Sequence, residues 1–157
     1  MTTRTGNTDD RTDNQKGAAE GADMTKSVLL VDDDPAALDE MAEALGDEAI
    51  PFLLASNAVE ALSLAREHRP QFVLMDFNMP GMNGTDAVNV MQTFLPKATF
   101  IMISGLDDFC RVATTENTRT FAILQKPISI HNIARYIRNA FQQTGEKALD
   151  AAEMLTA

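Results

Sequence analysis

The stretch Val28-Leu29-Leu30-Val31-Asp32-Asp33-Asp34-Pro35 sets four apolar residues directly against three acids and a proline. An unbroken apolar quartet, in place of alternation, marks a strand covered on both faces, as in a parallel sheet with helices above and below. The same kind of quartet returns as Phe72-Val73-Leu74-Met75, Phe100-Ile101-Met102-Ile103 and Phe121-Ala122-Ile123-Leu124. A weaker strand is expected over about Pro51-Ala55. Strands that alternate with helical stretches make the chain α/β.

The helical stretches carry their own ends. After the first quartet, Asp34 can cap, Pro35 suits the first helical position, and Leu38, Met41, Ala42 and Leu45 share one face before Gly46. Asn57 with Glu60 three residues on has the form of a capping box, ahead of a buried side with Ala58, Ala61, Leu62 and Ala65. A third helix follows Gly84, and a fourth is expected around Asp107-Glu116. The last begins at Ser129 and repeats Ile130, Ile133, Ala134, Ile137 and Phe141 at helical spacing. Right-handed crossovers and short connections then point to a flavodoxin-like, doubly wound (βα)5 sheet of five parallel strands in the order 2-1-3-4-5.

Length and composition bound the rest. A chain of 157 residues holds one α/β domain with a full core. Residues 1–25 have scarcely any large apolar side chain and are expected to form a disordered polar tail. The domain is expected over 26–142, with 143–157 as a C-terminal tail or short Ala/Leu helix. No apolar signal segment opens the chain and no membrane insertion is expected, so a cytoplasmic location follows. The formal net charge of −10 argues against direct DNA binding, and no DNA-binding output domain is expected. Cys110 is the only cysteine and can form neither an internal disulfide nor a CxxC knuckle.

The chemistry gathers where the quartets end. Asp32, Asp33 and Asp34 follow the first, Asp76 the second, Ser104 the third, and Lys126 comes two residues after the last. Open parallel sheets bind ligands outside the carboxyl ends of their strands, at the switch point of strand order, so these residues converge in one crevice. Carboxylates packed together repel unless protons or a cation compensate. Mg2+ prefers oxygen ligands and keeps waters, which suits Asp33 and Asp76, the backbone carbonyl of Asn78, and Asp32 acting through water. Lys126 supplies a second positive charge and Ser104 a hydroxyl donor, a sufficient set for transferring a phosphoryl group to a carboxylate.

The blocks VLLVDDDP, VLMDFNMPGMNG, IMISG and LQKP, in that order, resemble the signature blocks of the response-regulator receiver family of two-component signalling, and of its stand-alone chemotaxis-type members. The likeness covers roughly Lys26 to Gln142. It implies Asp32 and Asp33 as the acidic metal-binding pair, Asp76 as the phosphoacceptor, Ser104 as the switch hydroxyl and Lys126 as the phosphoryl partner. It also implies a cis Lys126-Pro127 peptide, a histidine kinase or histidine phosphotransfer protein as phosphodonor, and a downstream protein target that the sequence does not identify. Self-phosphorylation from a phosphodonor and autodephosphorylation are the only catalysis it implies. Readout would use the face formed by about Asp107-Glu116 and Phe121-Phe141. One departure is Ile123, where many receivers carry Tyr or Phe; Asn78 and Leu106 stand where the family tunes loss of the phosphoryl group.

Plainer readings hold for other residues. Asp34 is better used as a cap than as a ligand, Asp107 and Asp108 as the start of a helix, and His68 and His131 have no metal-ligand partner at suitable spacing. Met79, Met82 and Met91 read as gap-fillers, while Tyr136 and Phe109 suit either core or partner contact. A Ca2+ loop from Asp76 fails at Pro80 and Ala87, and a haloacid-dehalogenase-type site at Asp32-Asp34 would leave Asp76 without a role. Two alternatives share the fold: a phosphorylation-independent docking module, and a phosphorelay intermediate or phosphate sink.

Overall fold

The computed structural model describes residues 26–105 and 122–142. Five strands, β1 (Val28–Val31), β2 (Phe52–Ala55), β3 (Phe72–Asp76), β4 (Thr99–Ser104) and β5 (Ala122–Gln125), form one parallel sheet in the order β2-β1-β3-β4-β5. Among the described residues, four helices connect or flank them: α1 (Pro35–Asp47), α2 (Ala58–His68), α3 (Gly84–Phe94) and α4 (Ile130–Gln142). The expected tails over 1–25 and 143–157, the expected helix over Asp107-Glu116, and Leu106, Phe109, Cys110 and Phe121 lie outside the described residues.

In β1, β3 and β4 the quartets are apolar throughout because both sides of the strand are buried. Val28 and Leu30 face a core shared with Leu38, Met41 and Leu45 of α1 and Ile133, Ala134 and Ile137 of α4. Leu29 and Val31 face the other core, with Ala58, Ala61 and Ala65 of α2 and Ala87, Val88 and Met91 of α3. Alternation of side chains across the sheet sends successive residues into opposite cores. Phe72 extends the first core toward α4, with its ring edge-on to Tyr136 and Phe141 at centroid distances of 6.4 and 5.3 Å. Tyr136 is thus half-buried core in the described residues.

Several ends differ in detail from the sequence reading. Asp34 caps α1 by accepting from the Ala36 N–H at 3.0 Å, and Pro35 takes the first helical position. Gly46, however, does not end α1. The helix runs to Asp47, the Gly46 carbonyl accepts from the Ala49 N–H at 3.0 Å, and the left-handed residue that reverses the chain is Ala49 (φ 54°). Asn57 accepts from the Glu60 N–H at 2.8 Å, but the Glu60 carboxylate reaches back one residue further than a capping box requires, to the Ser56 N–H at 2.8 Å. α3 begins at Gly84 itself, capped by Asn83. β2 starts at Phe52, since Pro51 has no N–H for the ladder, although its carbonyl accepts from Val28 at 3.0 Å.

Candidate functional site

Strand lengths bring the site residues together. β3 and β4 run one residue beyond their apolar quartets, so Asp76 and Ser104 are the last residues of their strands, and Asp32 directly follows β1. β5 ends at Gln125, which pairs with Ser104. Lys126 therefore follows its strand directly, one residue closer than the quartet Phe121-Leu124 implies, and its N–H donates to the Ser104 carbonyl at 2.8 Å. The peptide between Lys126 and Pro127 is cis.

The carboxylates of Asp32, Asp33 and Asp76 present oxygens within 4.8 Å of one another. Asp32 and Asp76 are buried, 3% and 7% exposed, whereas Asp33 faces solvent. Asp34, the fourth acid in the neighbourhood, is spent on the α1 cap through its side chain, and its N–H donates to Asp32 Oδ1 at 2.9 Å. Lys126 Nζ lies 3.6 Å from Asp76 Oδ1. When all three carboxylates are ionised, this ammonium leaves two negative charges without a countercharge among the described residues. Oxygen-only donors, close spacing and an open side at Asp33 fit a hard divalent cation such as Mg2+.

Electrostatics record the same conflict. Burial pushes the Asp32 carboxyl above the ordinary carboxylate range, and the charges of Asp33 and Asp34 add to this, while the Asp34 N–H and Lys126 oppose it. Burial likewise raises Asp76, helped by the neighbouring Asp32 charge and opposed by Lys126 and the Asn78 N–H. A cation in the cluster would offset these upward pressures.

Ser104 is 1% exposed, and its Oγ has no hydrogen-bond partner among the described residues. An unpaired buried hydroxyl costs about 1–3 kcal/mol, and it stands where an incoming oxygen could accept its proton. Two features of the floor were not singled out from sequence. A side chain at Gly84 would place its Cβ 2.9 Å from both the Asp76 carbonyl oxygen and Met102 Cε, so glycine lets α3 start against the end of β3. Thr85, the next residue, is buried with an unpartnered Oγ1 among the described residues. A glycine at a helix start was the only sequence signal for the first, and none marked the second.

The histidines stand apart from the acidic cluster. His68 Nε2 is 3.6 Å from Glu67 and His131 Nε2 is 3.8 Å from Asp47. Met79 and Met91 are buried in the α2/α3 core, and Met82 is 36% exposed. Ile123 is partly buried and packs on that same core, in register with Met102.

Residues 28–138 match the response regulator receiver domain family, and the chain belongs to it. Among curated relatives, a response regulatory protein of Shewanella oneidensis is 30% identical over 125 residues, covering 78% of this chain and 51% of that protein. The DNA-binding response regulator MtrA of Mycolicibacterium smegmatis is 26% identical, over 85% of this chain and 57% of its own. The chain thus spans about half the length of these relatives. In fold it resembles a response regulator receiver domain protein of Clostridium thermocellum, with a TM-score of 0.67, 22% identity and coverage of 82% and 98% of the two chains. A CheY-like receiver of Methanospirillum hungatei gives the same TM-score at 25% identity, with 82% and 96% covered. The chain is accordingly a receiver domain of two-component signalling, with a flavodoxin-like α/β fold. No helix among the described residues is long and apolar enough to cross a membrane.

Proposed function

We propose that Asp76 accepts a phosphoryl group from the phosphohistidine of a histidine kinase or histidine phosphotransfer protein, in a Mg2+-dependent reaction, and that the chain signals through protein–protein contacts. The observation that carries this reading is the buried Asp76 carboxylate, 3.6 Å from Lys126 Nζ and inside a three-acid cluster, with the Ser104 hydroxyl, unpartnered among the described residues, at the end of the adjoining strand. In the transfer, an Asp76 carboxylate oxygen forms the new bond to phosphorus as the bond from phosphorus to the histidine nitrogen breaks. The electron pair leaves with the imidazole.

Asp32, Asp33, Asp76 and the Asn78 backbone carbonyl would hold Mg2+, which when bound would supply positive charge to offset that of the phosphoryl oxygens beside the carboxylates. Lys126 pairs with one of those oxygens and exchanges part of its contact with Asp76 for it. Ser104 donates its hydroxyl to another. The modified residue carries about −1.5 to −2 charges, by analogy with other phosphoryl groups, where one carboxylate stood before. Lys126 and Ser104 are bonded to each other through the Lys126 N–H and the Ser104 carbonyl, so movement of either shifts the β4 and β5 ends together.

A cytoplasmic location belongs to the same proposal, as the compartment in which such a phosphodonor would meet the domain. Direct DNA binding by the domain is disfavoured by the net charge of −10. A second reading, phosphorylation-independent docking, is favoured by one observation: Ile123 is an aliphatic residue packed on the α2/α3 core, so there is no ring at that position to swing.

Incubation with Mg2+ and acetyl phosphate, followed by intact-mass measurement, tests the proposal. One added phosphoryl group is expected, lost in Asp76→Asn and lost without divalent cation. A chain unmodified by acetyl phosphate and by phosphohistidine donors alike would leave docking as the function.

A further inference from the structure

Away from the acidic cluster, at the end of the sheet where β1 and β2 begin, lies a groove of about 360 Å3. Its lining surface is mostly apolar, with Ala49, Ile50, Pro51 and Phe141 contributing, and Lys26, Glu48 and Arg138 line it as well. Arg138 is held by an ion pair to Glu48, and the backbone turns sharply there at Ala49 (φ 54°), so the wall is built from fixed elements. Both ends of the described chain open into this groove: Lys26, the first described residue, and Gln142, the last residue of α4, line it.

Fifteen further residues, 143–157, continue from Gln142. Their pattern is two-faced. At 100° per residue, Ala148, Ala151, Ala152 and Leu155 recur at i, i+3, i+4 and i+7, while Glu146, Asp150 and Glu153 recur at i, i+4 and i+7 on the opposite side. Small alanines around one leucine suit a shallow groove. Gly145 provides a place for the chain to turn back, and the three residues Gln143-Thr144-Gly145 reach about 10 Å, enough for a segment that starts at the groove's own wall.

We infer that the segment 146–157 is the occupant of this groove, docking in cis with Leu155 against Ile50, Pro51 and Phe141 and its acidic side turned to solvent. The strap would tie α4 to the start of β1 and β2, on the side of the domain remote from Asp76. It does not depend on phosphorylation.

The test is amide exchange and chemical shift by NMR on the full chain, with Leu155→Asp as the variant. Amides of Ala151 and Ala152 are expected to exchange about tenfold or more slowly than in an unstructured peptide. Leu155→Asp is expected to abolish that protection and to move the resonances of Ile50 and Phe141 while leaving that of Asp76 in place. Unprotected amides in the unsubstituted chain would overturn the inference, as would Ile50 and Phe141 resonances indifferent to Leu155→Asp. Protection that fades on dilution would overturn it too, since a second copy would then be the occupant.

Discussion

Ser104 shows how a single atom can be costly to the fold and useful to the site. Its hydroxyl is buried without a partner among the described residues, a condition that ordinary folding stability selects against. Ser104→Ala removes the orphan at little cost in packing, so it should leave the unfolding free energy unchanged or raise it by about 1 kcal/mol in urea denaturation. The same change should slow phosphoryl transfer from acetyl phosphate, because a donor aimed at the incoming oxygen is lost. A variant that is clearly destabilised, or that is modified at the unsubstituted rate, would mean that the hydroxyl is a structural group with an unseen partner. Asp34 is the opposite case. It lies beside the cluster in sequence, yet its carboxylate serves the α1 N-terminus.

At the level of elements, the loops that carry the site are held by the helices that follow them. α2 is anchored by Asn57 on the Glu60 N–H and by Glu60 on the Ser56 N–H. Asn57→Ala should therefore cost about 1 kcal/mol, read as a lower midpoint with an unchanged slope in denaturant unfolding. Because α2 packs on β2 and α3 and contributes no side chain to the acidic cluster, phosphorylation by acetyl phosphate should survive the change. α3 depends instead on close approach: Gly84 brings the helix start against the Asp76 carbonyl, so the Asp76 backbone and the helix share one contact.

For the whole molecule, the acidic cluster is expected to couple stability to pH and to divalent cation. Asp32 and Asp76 both have carboxyls raised above their ordinary value by burial. The folded state then holds protons that the unfolded chain releases, and by linkage stability falls as pH rises. The contribution of these two groups is fully present below the unfolded carboxylate value, near pH 4, and is lost as pH climbs through their raised folded values. The metal-free protein should thus lose thermal stability relative to Asp32→Asn between about pH 4 and neutrality. Magnesium should restore it at neutral pH, where the cluster is ionised, and do little at pH 4. Melting curves across pH with and without Mg2+ would check this; equal gains at both pH values would place the cation elsewhere.

Much of this was legible along the chain because the relevant physics is local or periodic. The unbroken apolar quartets of β1, β3 and β4 identified strands with two buried faces, and caps such as Asp34 and Asn57 announced their helices. The acids, the hydroxyl and the lysine stood out because each sits where an apolar run stops. What the sequence alone determined was therefore the parallel α/β architecture and the composition of the crevice. Tertiary structure decided the rest: that Ser104 is buried and without a hydroxyl partner among the described residues, that Lys126 follows β5 directly, that Gly84 admits α3 against Asp76, and that Ala49 rather than Gly46 reverses the chain. These depend on distances between segments brought together by strand register and helix packing, and no periodicity or spacing along one segment encodes such distances.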